Sequence, residues 1–90
     1  MVVRFFASLR EITGEATLDR AAPAADLGEL LESLATGYGP QFRRAVLDGK
    51  GLAPAAMVLV NGHNARFTGG TETPLQAGDE VALFPPLGGG

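Results

Sequence analysis

Gly78-Asp79-Glu80-Val81-Ala82-Leu83-Phe84-Pro85-Pro86-Leu87-Gly88-Gly89-Gly90 closes the chain, and its reading decides the fold. Residues 80–84 follow a Gln-Ala-Gly-Asp turn and place four apolar side chains in a row, which predicts a strand. Pro85 and Pro86 stop that strand, because neither nitrogen carries a hydrogen for a ladder. Leu87 and three glycines come after them. The expected organisation is one domain over residues 1–86 and a flexible Gly-rich tail over residues 87–90.

Working outward, Asn61-Gly62 is a strong hairpin signal, preceded by the apolar run 57–60. A strand over 57–60 is expected to turn back through His63 to Phe67, with residues 68–71 as loop. At the other end, Val2-Val3-Arg4-Phe5-Phe6-Ala7-Ser8 is β-branched and aromatic, with Val3, Phe5 and Ala7 on one face. Residues 9–14 read as a turn punctuated by Gly14, and 15–20 as a second strand hairpinned to the first through Ala16 and Leu18. After Pro23, Asp26 is placed to cap a helix, Glu29 to complete a capping box, and Leu27, Leu30, Leu31 and Leu34 to form an apolar stripe. Gly37 is where this helix should stop. Residues 40–54 space Phe42, Val46 and Leu47 near a helical period, leaving a short helix and an ordered loop both open.

The element order is strand, strand, helix, strand, short strand, strand. The first and last strands, both rich in bulky apolar residues, can pair in parallel at the sheet centre while the helix crosses one face. That is the α+β, β-grasp arrangement of ubiquitin: a mixed sheet with one main helix packed across it.

Ninety residues, 46% of them hydrophobic, suffice for one compact domain. No apolar run approaches the length of a bilayer span, and Met1 leads straight into the first strand without a secretory leader, so the expected setting is the cytoplasm. A formal charge of −3 and a pI near 4.9, with basic residues scattered apart from Arg43-Arg44, disfavour a nucleic-acid partner. Cysteine is absent, which removes disulfides, thiolate ligands and thiol nucleophiles together.

Few side chains are candidates for chemistry. His63, the only histidine, sits next to the Asn-Gly turn without co-ligands nearby and reads as a solvated turn residue. Asp79 and Glu80 point to opposite faces if the strand begins there, so they do not form an acid-base pair. Arg43-Arg44 fits a solvated face, or a contact for an acidic partner. Gly69-Gly70 fits loop geometry and matches no phosphate-binding fingerprint. Neither a metal nor a bound cofactor is expected. What remains is the terminal glycine run, which reads on its own as a frayed end. As a side-chain-free tail aimed away from the sheet by Pro85-Pro86, it is also able to enter a cleft that any Cβ would block. Fully extended, residues 86–90 reach at most about 17 Å.

Three blocks carry a family resemblance: Val3-Arg4-Phe5-Phe6-Ala7-Ser8-Leu9-Arg10-Glu11, Val60-Asn61-Gly62 and the closing Gly78-to-Gly90 stretch. They resemble the MoaD/ThiS sulfur carriers, and within them the MoaD branch, the small subunits of molybdopterin synthase. Members typically close with Phe-Pro-Pro, an aliphatic residue, a small residue and Gly-Gly. Leu87 takes the aliphatic place and Gly88 the small one, which implies a complete, active terminus.

The resemblance implies a non-catalytic carrier whose Gly90 carboxylate is adenylated by a MoeB/ThiF-like ATP-dependent activating enzyme and converted by a sulfur donor enzyme to a thiocarboxylate. Acyl-adenylate and thiocarboxylate would be transient states of Gly90. The MoaE-like large subunit would then use the sulfur for the dithiolene of molybdopterin and would hold the catalytic residues. Gly88 and Gly89 would be the recognised tail, and Phe84, Pro85, Pro86 and Leu87 the docking residues, with Phe84 also a candidate for the core. Related carriers serve thiamine, cysteine, tRNA thiolation or tungsten-cofactor pathways, and the Arg66-Phe67-Thr68-Gly69-Gly70 segment resembles a stretch in some cysteine-pathway carriers. A ubiquitin-like modifier would use the same activated carboxylate to acylate lysines. These alternatives stay open at the level of sequence.

Overall fold

The computed structural model describes residues 1–20, 24–49 and 51–86. Strand β1 (Val2–Phe5) leads into helix α1 (Ser8–Thr13), and β2 (Thr17–Asp19) returns antiparallel to β1, pairing Val3 with Leu18. Helix α2 (Leu27–Tyr38) and helix α3 (Pro40–Val46) follow, then a small hairpin of β3 (Leu47–Asp48) and β4 (Gly51–Leu52). Strands β5 (Met57–Val60) and β6 (His63–Asn64), two 3-10 turns (Ala65–Phe67 and Gly70–Glu72) and β7 (Glu80–Phe84) complete the described chain.

Among the described residues the main sheet has the order β2-β1-β7-β5-β6. β7 lies in the middle, parallel to β1 with Val3 beside Val81 and Phe5 beside Leu83, and antiparallel to β5 with Val60 beside Val81. The expected parallel pairing of first and last strands is therefore observed, and the fold is the ubiquitin-like β-grasp. It follows from the side-chain alternation of each strand: Val3, Phe5, Val58, Val60, Val81 and Leu83 all face the helical side and are buried.

Helix α2 covers that face. The Asp26 side chain accepts a 2.9 Å hydrogen bond from the Glu29 backbone N–H, so the expected cap is present. Glu29 answers by accepting from the Ala25 backbone N–H at 3.3 Å, one residue before the cap, rather than from Asp26 itself. Leu27, Leu30, Leu31 and Leu34 are all buried against the sheet. We expect Leu34→Ala to cost about 2–5 kcal/mol, read as a shift of the urea midpoint; an unchanged midpoint would contradict this packing. At the start of the helix Gly28 lies so close to the second 3-10 turn that an added Cβ would stand 3.1 Å from the Thr71 carbonyl oxygen and 3.1 Å from its Cβ.

Five expectations are corrected. The first strand ends at Phe5, short of the expected Ser8: Ala7 is exposed and takes φ 52° where the chain leaves the sheet, so it does not share the inner face with Val3 and Phe5. Residues 9–14 are mostly helix, not turn: Leu9 is buried, Ile12 packs against the core, and Gly14 at φ 76° closes α1 with its N–H on the Arg10 carbonyl. Helix α2 does not stop at Gly37; it runs to Tyr38 and ends at Gly39, φ 103°, because the Tyr38 ring packs on Phe5 and Phe42 and holds the last turn down. The strand after Asn61-Gly62 is only two residues long. The Asn64 side chain accepts from the Arg66 backbone N–H at 3.0 Å and diverts the chain into a 3-10 turn. Residues 68–71 are not wholly loop, since the second 3-10 turn begins at Gly70. Of the two readings left open for 40–54, a helix forms over 40–46 and a hairpin follows it.

The lone tyrosine reports on this packing. Burial, then a 2.6 Å hydrogen bond donated to the Glu15 carboxylate, then its negative charge push the Tyr38 phenol up to about 12. A folded value above the ordinary one of about 10 means a contribution to stability that is complete below about pH 10 and lost as pH rises toward the folded value. Because the chain has one tyrosine and no tryptophan, its phenolate absorbance should titrate near pH 12 when folded. In denaturant it should titrate near 10; equal midpoints would refute the contact.

Candidate functional site

The geometry that matters is at the end of β7. Phe5 faces Leu83 across the parallel pair, and the Phe6 N–H continues the ladder onto the Leu83 carbonyl at 3.1 Å. This fixes the chain at the last point before the prolines. Phe84 follows on the outer, helix-free face of the sheet, where its ring stacks on Phe6 with centroids 4.3 Å apart and planes 10° from parallel. The Arg10 guanidinium lies 5.6 Å from the Phe6 ring centre and donates through Nε to the Phe5 carbonyl at 3.0 Å. Met57, opposite Phe84 on β5, is 37% exposed.

Phe84 is half-buried, Pro85 is buried and Pro86 is exposed. Pro85 is therefore covered, and Phe84 and Pro86 keep exposed surface at this end. Phe84, weighed as either core or docking surface, is half-buried: it lies outside the core cluster, with one ring face covered by Phe6. Phe6 was not singled out in the sequence. The signal was available in its position, one residue past the strand and on the face opposite Phe5. Leu87, Gly88, Gly89 and Gly90, on which the expected tail chemistry rests, lie outside the described residues, as does Pro23.

The other candidates sit apart from this exit. His63 is exposed on the edge strand. It lines an open groove of about 430 Å³ with Asn61, Thr68, Thr73 and Asp79. The Asn61 amide, at 3.0 Å, and the Gln76 backbone N–H, at 2.7 Å, hold the Asp79 carboxyl below its usual range, the reverse of what a general acid needs. Glu80 is exposed and paired with Arg4 at 3.1 Å. Arg43 binds Glu32 at 2.7 Å, while Arg44 is exposed. Gly69 and Gly70 have φ of 124° and 60°, as loop geometry requires. Among the described residues, no three His, Asp or Glu side chains gather as metal ligands, and no helix is long and apolar enough to cross a membrane.

The β-grasp fold and the similarities that follow place the chain in one class: the ubiquitin-like sulfur carriers and modifiers. The ThiS family pattern matches residues 3–90, and the chain belongs to that family. It is 37% identical over 89 residues to small archaeal modifier protein 3 of Haloferax volcanii, covering 98% of this chain and 96% of that one. It is 35% identical over 88 residues to the molybdopterin synthase sulfur carrier subunit of Escherichia coli, again covering 98% and 96%. Among solved structures, the Amycolatopsis orientalis BexX/CysO complex contains a chain matching with a TM-score of 0.82, 27% identity, and coverage of 99% and 98%. Members of the family are small sulfur carriers rather than catalysts, and they work with activating enzymes and partner proteins.

Proposed function

We propose that this chain is the sulfur carrier subunit of a molybdopterin synthase, with Gly90 as the carrying residue. An activating enzyme joins the Gly90 carboxylate to AMP, releasing pyrophosphate, and a sulfur donor displaces AMP to leave a thiocarboxylate. Adenylation is required because a carboxylate oxygen is a poor leaving group. The thiocarboxylate then presents sulfur as a nucleophile in a chain that has no cysteine. The observation that carries the reading is the exit of β7: a buried proline directs the chain out of the sheet beside the Phe6–Phe84 stack. That stack is a rigid apolar surface on which an activating enzyme or large subunit can seat the domain while the tail enters its cleft. The similarity to the Escherichia coli carrier subunit supports the molybdopterin branch.

A second reading, that Gly90 is attached to lysines of other proteins, is favoured by the similarity to the Haloferax volcanii modifier. One set of measurements separates the two. Incubation with a ThiF-like activating enzyme, ATP and a sulfur source should give the oxygen-to-sulfur mass change at Gly90. Addition of a MoaE-like subunit and cyclic pyranopterin monophosphate should then yield molybdopterin. Thiocarboxylate without molybdopterin, together with lysine adducts in cells, would establish the modifier instead.

A further inference from the structure

Asn61-Gly62 carries a chemistry that its role as a turn does not use. A glycine nitrogen has no Cβ beside it, so it is open to attack the side-chain carbonyl carbon of a preceding asparagine. The bond from the Gly62 nitrogen to Asn61 Cγ forms and the nitrogen gives its proton to water. The bond from Cγ to Nδ2 then breaks, and Nδ2 takes the electron pair and a proton and departs as ammonia. Water opens the resulting five-membered imide at either carbonyl, leaving aspartate or isoaspartate. Both turn residues are exposed, so water reaches them.

In the folded chain the Asn61 amide is held at both ends. Its Nδ2 donates to the Asp79 carboxylate at 3.0 Å, and its Oδ1 accepts from the Glu80 backbone N–H at 2.9 Å. One end faces an acceptor and the other a donor, so a flipped amide would lose both bonds. The Asn61 backbone N–H is tied to the same neighbour, donating to the Glu80 carbonyl at 2.8 Å. Asp79 is fixed in turn, its second oxygen accepting from the Gln76 backbone N–H at 2.7 Å. The amide is thus committed to the start of β7, across the sheet. Departure of Nδ2 requires its bond to Asp79 to break first, and a carbonyl carbon pinned on other partners is kept from lining up with the Gly62 nitrogen. Asn64, the other asparagine, is followed by Ala65, whose Cβ shields the nitrogen.

We propose that Asn61 is a deamidation site gated by the fold: blocked while its amide is clamped on Asp79 and Glu80, and open when the turn before β7 comes loose. The clamp does not re-form on the product. Aspartate at position 61 puts a carboxylate where Nδ2 had donated, facing the Asp79 carboxylate, and the two charges repel. Isoaspartate lengthens the backbone by one carbon within a turn whose two residues have φ of 51° and 83°. Either product leaves the middle strand of the sheet without the tie at its start.

The test incubates the full chain in mildly alkaline buffer, folded and in urea, and follows the peptide holding residues 61 and 64 for the amide-to-acid gain in mass. Mass distinguishes this from Asp48-Gly49, which can isomerise through the same ring without a change of mass. Conversion at Asn61 is expected to be at least about tenfold slower in the folded chain than in urea, as two hydrogen bonds to be broken require. In urea Asn61 should far outpace Asn64. Asp79→Ala removes one arm of the clamp and should raise the rate at Asn61 at least about fivefold. The comparison is made with the unchanged chain in enough urea to match the variant's unfolded fraction, which separates a loosened clamp from general unfolding. Asn61→Asp stands in for the product: its urea midpoint should fall, and fall less when Asp79→Ala is already present. Equal rates folded and unfolded, no acceleration by Asp79→Ala at that match, or a midpoint loss for Asn61→Asp that is indifferent to Asp79 each overturns the inference.

Discussion

Deletion of Gly90 abolishes the oxygen-to-sulfur exchange and molybdopterin formation, and leaves the melting temperature unchanged: this is the expected result with the largest functional effect. The buried apolar residues of the described chain lie between Val3 and Leu83, so nothing in that core is touched. The carboxylate, by contrast, is withdrawn by about 3.5 Å relative to the docked domain. A displacement of about 1 Å can already cost on the order of 100-fold in a positioned reaction. Extending the chain past Gly90 should be equally damaging, since the terminal carboxylate would become an amide. Melting curves and intact masses after incubation with activating enzyme, ATP and sulfur source check both variants. A deleted form that still gains the sulfur mass would remove Gly90 from its role.

The largest effect on stability is expected from Phe42→Ala. Phe42 is fully buried on α3 and meets Phe5 edge-on, with ring centres 6.2 Å apart and planes at 85°, and Tyr38 at 5.5 Å. Truncating such a ring costs about 3–5 kcal/mol. Against a total stability of about 5–15 kcal/mol for a domain, a large part of the fold is lost, and the chain should melt far below the unchanged protein. Equilibrium unfolding in urea measures this. A cost under about 1 kcal/mol would mean that α3 is not part of the core.

The elements legible in the sequence were those with two agreeing signals. For α2, the Asp26 cap and the leucine stripe coincide; for the β5–β6 turn, the Asn61-Gly62 pair follows an apolar run, and the two residues take φ of 51° and 83°. The end of β7 was legible because proline has no donor. Elements with one signal were misread. In α1 only Leu9 and Ile12 mark the apolar face, and Gly14 suggests a turn as readily as a helix end. Gly37 lies on an exposed face where a Cβ would meet nothing, so it neither needed nor caused a break. The length of β6 depended on a side-chain bond from Asn64 that no periodicity records. The tail expected from the sequence lies outside the described residues, and the aromatic stack beside the strand exit was not legible at all. The stacking of Phe6 on Phe84 joins the two ends of the chain through a strand register that only the assembled sheet defines.

That register has a consequence for biosynthesis. β7 is the strand through which β1 and β5 are joined, and it is the last described element to leave the ribosome. Until it emerges, β1 and β5 have no partner between them, and the pairing that closes the sheet spans almost the whole described chain. The sheet therefore cannot close before β7 has been made. The Phe6–Phe84 stack forms at that same moment, so under the proposed function a partly made chain offers an activating enzyme no assembled surface to engage.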